Sequence, residues 1–152
     1  MSRVRTRALM AIAAILLGLT AWVGVPAQPA LAAPCWSLSC NNLDPQSTGC
    51  GSQATTLEQF SWSGVYIELR YSSLCNAAWA RAYWNGPCNN NVAGWAWIHA
   101  YADSQGTQWK SSDSENLPCN NITTSWTTMR SFTYWVKACY DVYPVYWCTR
   151  LR

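Results

Sequence analysis

The chain has 152 residues, half of them hydrophobic and 14% aromatic, with eight cysteines and a formal charge of +3. That composition excludes a disordered or fibrous chain and leaves room for one domain. Arg3, Arg5 and Arg7 account for the whole charge excess, so the remainder balances seven basic against seven acidic side chains and lacks the basic footprint of a nucleic-acid binder.

In chain order, those three arginines precede an apolar run from Ala8 to Val25, broken by Pro26 and Pro29 and followed by Ala30-Leu31-Ala32. A positive n-region, an apolar core and a small-residue site predict a secretory signal peptide over residues 1–32. Cleavage after Ala33 would leave Pro34 as the first residue, so cleavage after Ala32 is expected. The chain then touches a membrane only in transit. Residues 33–152 form a single disulfide-rich β domain, secreted either free or bound to the cell wall.

All eight cysteines, Cys35, Cys40, Cys50, Cys75, Cys88, Cys119, Cys139 and Cys148, follow the leader. An even count in an exported chain predicts four disulfides, and about a hundred pairings are open, so none is assigned. A metal centre does not fit: there is no C-x-x-C, and His99 is the single histidine. No cofactor is implied.

Residues 33–56 read as a loop-rich, cross-linked segment with turns at Asp44-Pro45 and Thr48-Gly49, and a short helical turn is expected near Thr55–Gln59. Val65, Ile67, Leu69 and Tyr71 then alternate with Tyr66, Glu68 and Arg70, the period of a strand. Glu68 and Arg70 share its polar face, placed to pair with each other or with the next strand. Ala78-Trp79-Ala80-Arg81-Ala82-Tyr83 and Ala96-Trp97-Ile98-His99-Ala100-Tyr101 echo one another and suggest neighbouring antiparallel strands. Ser104–Thr107 is a turn, 107–110 a short strand and 111–118 a polar loop. Pro87-Cys88-Asn89-Asn90 and Pro118-Cys119-Asn120-Asn121 read as matching corners pinned by disulfides. Residues 125–140 alternate again, and Pro144 makes the aromatic stretch 140–147 an edge strand or extended tail. The expected fold is mainly β: a small disulfide-linked antiparallel sandwich or barrel of six to eight strands with a loop-rich N-terminal segment.

Cys35, Cys40, Asp44-Pro45, Thr48-Gly49-Cys50, Ala54-Thr55, Ile67-Glu68-Leu69-Arg70-Tyr71-Ser72, Cys75 and Ala78-Trp79-Ala80-Arg81 together resemble the family catalogued as domain of unknown function 2690. Thr128-Met129 and Ala138-Cys139 resemble its closing motifs. The resemblance implies a small exported, cysteine-linked protein of a kind common in actinobacteria, and it implies no activity or catalytic residue. Cys88, Cys119, Cys148 and the tail after Tyr140 look like additions to the shared pattern.

No catalytic constellation is recognised, so the chain is not read as an enzyme. A nucleophilic triad would have to use His99, and no G-x-S-x-G surrounds a serine. Glu58, Glu68, Asp103, Asp113, Glu115 and Asp141 are carboxylates of the kind a glycosidase uses, but nothing pairs them. Glu68 with Arg70 is read as a structural ion pair. Behind the leader stand ten tryptophans and eight tyrosines, more than a domain of this size buries fully. Trp79, Trp97 and Trp135 are expected in the core. Trp36, Trp84, Trp109, Tyr143, Tyr146 and Trp147 are the candidate exposed binding residues. The expected function is an exported binding module that recognises another protein through loops and exposed aromatics. A cell-wall or polysaccharide binder is the alternative, and a hydrolase, or an inhibitor using the loops Gly86–Asn91 or Leu117–Asn121, ranks behind both.

Overall fold

The computed structural model describes residues 35–88, 93–119 and 123–152; the expected leader, with parts of the corners at Gly86–Asn91 and Leu117–Asn121, lies outside them. The described residues form nine strands: β1 (Thr55–Trp62), β2 (Val65–Ser72), β3 (Ala77–Trp84), β4 (Gly94–Tyr101), β5 (Trp109–Leu117), β6 (Thr124–Trp126), β7 (Arg130–Ser131), β8 (Trp135–Val142) and β9 (Val145–Cys148). Sheet A runs β1-β2-β3-β6, with β7 also paired to β3, and sheet B runs β5-β4-β8-β9. Every pairing is antiparallel. The fold is therefore mainly β, as the alternation implied. The strand number exceeds six to eight because 55–62 is a strand and the run 125–140 is broken into β6, β7 and β8.

Strand parity builds the core. Val65, Ile67 and Leu69 of β2 and Ala78, Ala80 and Ala82 of β3 face Ala96, Ile98 and Ala100 of β4 and Val136, Ala138 and Tyr140 of β8. The alanines leave room between the sheets for the larger Ile67, Leu69, Ile98 and Tyr140, all fully buried. Each buried Leu or Ile contributes about 1.5–3 kcal/mol. Gly94 is required where β4 passes β8, because a β-carbon there would collide with the Asp141 carbonyl and the Tyr140 ring.

Several local expectations are corrected. The helical turn near Thr55–Gln59 is the first half of β1, and the 3-10 turns lie earlier, at Ser37–Cys40 and Cys50–Gln53. Thr55 to Trp62 is extended because it pairs along β2, with a bulge between Thr56 and Glu58. A two-residue turn at Ser63-Gly64, both at positive φ, joins the two strands. The loop expected at 111–118 is most of β5. It lacks hydrophobic alternation because its inward polar groups find partners across the seam between the sheets. The Asp113 carboxylate accepts the Thr128 N–H at 2.7 Å and its hydroxyl at 2.8 Å, and Arg130 donates to the Ser112 carbonyl at 2.6 Å.

The two echoed motifs are not neighbouring strands. They are β3 and β4, one in each sheet. Both turn their alanines inward and their Trp–Tyr pair outward, and the two outer faces have different fates.

The outer face of sheet A is covered around Ala77 and Trp79. The N-terminal segment lies over it, with Cys35, Cys40, Cys50, Cys75, Ala77, Trp79 and Met129 packed into a second apolar cluster. Four disulfides hold the domain: Cys35–Cys40, Cys50–Cys75, Cys88–Cys119 and Cys139–Cys148. The two asparagine-rich corners are thus pinned to each other. Asp44 anchors the segment at its other end. Its Oδ1 accepts the Gln46 and Ser47 amides, and its Oδ2 accepts the Trp126 indole N–H at 2.9 Å.

Candidate binding surface

The Glu68 carboxylate lies on the covered face, where its residue is only 5% exposed. Register places it opposite Arg81 of β3. Arg81 grips one carboxylate oxygen through Nε at 2.7 Å and through its Nη2 at 2.6 Å, while Arg70 stands off at 3.8 Å. Arg70 instead donates to the Thr56 hydroxyl and the Ala54 carbonyl, fastening the N-terminal segment to β2. The motif is therefore a three-membered charge cluster inside the fold, and the stronger partner is across the strands.

Glu58, Asp103 and Asp44 are also engaged. Glu58 pairs with Arg150 at 3.6 Å and with Arg152, drawing the C-terminal tail onto β1. Asp103 closes its own turn by accepting the Thr107 and Gln108 amides. A concavity of about 290 Å³ holds Asp44 and Glu115 beside Trp126. Burial acts to raise the Asp44 carboxyl, but hydrogen bonds from the Ser47 amide, the Trp126 indole and the Gln46 amide outweigh it and hold the group below its ordinary 3.8. A general acid needs the reverse shift. A wider apolar concavity, about 580 Å³, lies between Leu57, Phe132, Tyr134, Trp135 and Arg152.

Sheet B presents a different surface. Parity puts Trp95, Trp97, His99 and Tyr101 of β4 on its outer face, and register sets them beside Asp141, Cys139, Lys137 and Trp135 of β8. Trp109 of β5 pairs with Tyr101, and Tyr146 of β9 pairs with Asp141. Among the described residues no segment covers this face. Trp109 is 61% exposed, Tyr146 52%, Trp95 47% and Trp135 42%.

At its centre the Trp97 and His99 rings stand nearly parallel, 5.8 Å apart with planes 5° from each other. His99 Nε2 and the Tyr146 hydroxyl lie 2.6 Å apart, in a hydrogen bond whose direction follows the imidazole tautomer. The Lys137 ammonium sits 5.3 Å from the centre of the Tyr101 ring. Burial, with the Lys137 charge adding to it, holds the His99 imidazole below its ordinary 6.5. Burial, then Tyr101 and Asp141, push the Tyr146 phenol up to about 12. The pair is thus uncharged at neutral pH.

This sets a sign for the pH response. The unfolded chain takes up a proton near 6.5 and the folded one only lower, so stability falls as pH drops through 6.5 toward the depressed folded value. Urea midpoints at about pH 7.5 and pH 5.5 should therefore differ, and His99→Gln should shrink that difference. An unchanged difference in the variant would assign the effect to other groups.

The six candidate binding residues do not converge. Trp109 and Tyr146 lie on the open face. Tyr143, 95% exposed, lies at the tip of the β8–β9 hairpin beside the cis Tyr143–Pro144 bond, and Trp147 is exposed on edge strand β9 with the opposite parity to Tyr146. Trp36 is exposed on the N-terminal segment. Trp84 is a correction: it is only 8% exposed, because it pairs with Val65 on the inward parity of β3. Trp135 is a correction in the other sense, since pairing with Tyr101 turns it outward rather than into the core. Trp97 is half-buried on the outer face, and Trp79 alone of the three expected core tryptophans is enclosed. The ring residues at 95, 97, 99 and 101 carried the signal for this surface in their period of two.

The family described as Protein of unknown function (DUF2690) matches residues 38–137. The chain belongs to this family. The DUF2690 match spans both sheets from the first 3-10 turn into β8, and it ends before the Cys139–Cys148 hairpin. No curated protein and no solved structure matches the chain.

Proposed function

We propose that this DUF2690 protein is an exported, disulfide-stabilised binding module that docks another protein on the outer face of sheet B. The observation that carries the reading is the asymmetry of the two outer faces. The cysteine-linked segment packs over Cys75, Ala77 and Trp79 on one face, where Tyr66 and Tyr83 are half-buried, and the other holds four large aromatics between 42% and 61% exposed. An uncovered apolar patch of this kind marks an interaction site. The leader-like N-terminus and the paired cysteines support secretion, and the family resemblance supports an actinobacterial source.

A protein partner is favoured over a glycan by the ring geometry. A pyranose stacks on an exposed ring face, whereas Trp97 and His99 turn their faces toward each other. Trp and Tyr side chains are enriched among the residues that anchor protein–protein contacts. The test is co-purification of the tagged secreted protein from culture supernatant and wall fractions, beside a Trp95→Ser/Trp135→Ser variant. The expected result is a stoichiometric protein partner that the variant loses while keeping its melting temperature. Recovery with wall material alone, released by soluble glycan, would overturn the reading.

A further inference from the structure

The open face has a charge pattern that is complementary to itself. On β8, Lys137 and Asp141 point outward, each two residues from Cys139, so they stand about 7 Å to either side of it along the strand. Among the described residues neither makes an ion pair within the chain. The described residues also balance seven basic against seven acidic side chains, so two copies meet without net repulsion.

Building on the reading of this face as a docking surface, we propose that its partner is a second copy of the same chain, packed face to face about a two-fold axis. The axis lies in the plane of the face, across the strands, at the level of Trp97 and Cys139, which are themselves in register. Rotation about it keeps β8 over β8 and β4 over β4 while reversing their direction. Lys137 of each copy then meets Asp141 of the other, so one contact is made twice, as an isologous interface requires. On β4 the same operation sets Trp95 against the second copy's His99 and Trp97 against Trp97. Sheet faces packed this way stay within about 30° of alignment.

The area agrees with a reversible dimer. A large aromatic side chain buries about 150–250 Å², and the four exposed rings keep roughly half of that, so they offer about 400 Å² per copy. The half-buried Trp97, His99, Tyr101, Lys137 and Asp141 extend the patch toward the roughly 800 Å² per partner of a standard interface.

The experiment is sedimentation equilibrium of the secreted, oxidised protein, with Lys137→Asp, Asp141→Lys and the Lys137→Asp/Asp141→Lys double variant. The expected wild-type result is a monomer–dimer equilibrium with a Kd of about 1–100 μM. Each single change sets like charges together twice and should weaken the dimer about tenfold or more. The double variant reverses the pattern without breaking it and should return to within about threefold of wild type. Melting curves of all three variants establish that they fold. A wild type that stays monomeric, single variants with unchanged Kd, or a double variant no better than the singles would each overturn the dimer. The docking reading fails separately: a monomeric protein that still loses a different partner on Trp95→Ser/Trp135→Ser keeps that reading, and one whose partner survives the double serine change does not.

Discussion

Replacing Trp79 with alanine should lower stability by about 3–5 kcal/mol. Trp79 is 1% exposed and sits where three parts of the molecule meet: β3, the paired cysteines of the N-terminal segment, and Met129. The segment is loop-rich, with two short 3-10 turns, so most of its hold on sheet A comes from this cluster and its disulfides. Removing the indole opens a cavity under two disulfides whose covalent geometry limits collapse, and residual cavity volume sets the size of the loss. Thermal denaturation under oxidising conditions should show a fall of about 15 °C, given about 4 °C per kcal/mol for a domain of this size. Trp109→Ala, at a residue 61% exposed, should change stability by less than about 0.5 kcal/mol. Equal effects at the two positions would mean that the segment does not depend on Trp79.

Glu68→Gln should cost about 3 kcal/mol while leaving the protein folded. The carboxylate is almost fully buried, and its substitution leaves the Arg70 and Arg81 guanidinium groups side by side without a counter-charge. Breaking a buried ion pair from one side costs about 3–5 kcal/mol, and the partial exposure of Arg81 places this case at the lower end. Arg81→Gln should cost less, because Arg70 remains 3.8 Å from the same oxygen. Denaturant midpoints of the two variants, with dimerisation and partner capture measured on each, separate structure from recognition. Loss of binding with stability intact in Glu68→Gln would make the motif a site rather than a support.

The strands with alternating apolar residues were readable because parity is set by burial. In β2 the sequence Val65, Ile67 and Leu69 names the inward row, and a shift of one residue would expose it. β1 and β5 were harder for the same reason: both are edge strands, and their inward positions include Glu58 and Asp113, whose partners come from the tail and from β6–β7. Polar groups satisfied from distant segments leave no local signal. The echo of β3 and β4 was real, but similarity of strands says only that each has a small inner row and an aromatic outer row. Which outer row stays open depends on where residues 35–54 lie, and that is decided by Cys50 reaching Cys75, one of many pairings the sequence allowed. Hence Trp79 and Trp97, equivalent in the motif, differ in burial, and the open face was legible as aromatic but not as uncovered.

The placement of the disulfides bears on how the protein withstands proteolysis. The β1–β2 turn at Ser63-Gly64 lies inside the loop closed by Cys50–Cys75. The β4–β5 turn lies inside Cys88–Cys119, and the β8–β9 turn at Tyr143-Pro144 lies inside Cys139–Cys148. A protease that clips any one of these three tips severs the backbone without releasing a fragment. The nicked molecule gains only the water of hydrolysis, and both strands of the damaged hairpin stay at high local concentration. It should run as one band on a non-reducing gel and lose a fragment on reduction, so that wear at the exposed tips is recorded in the chain well before it is felt in the fold.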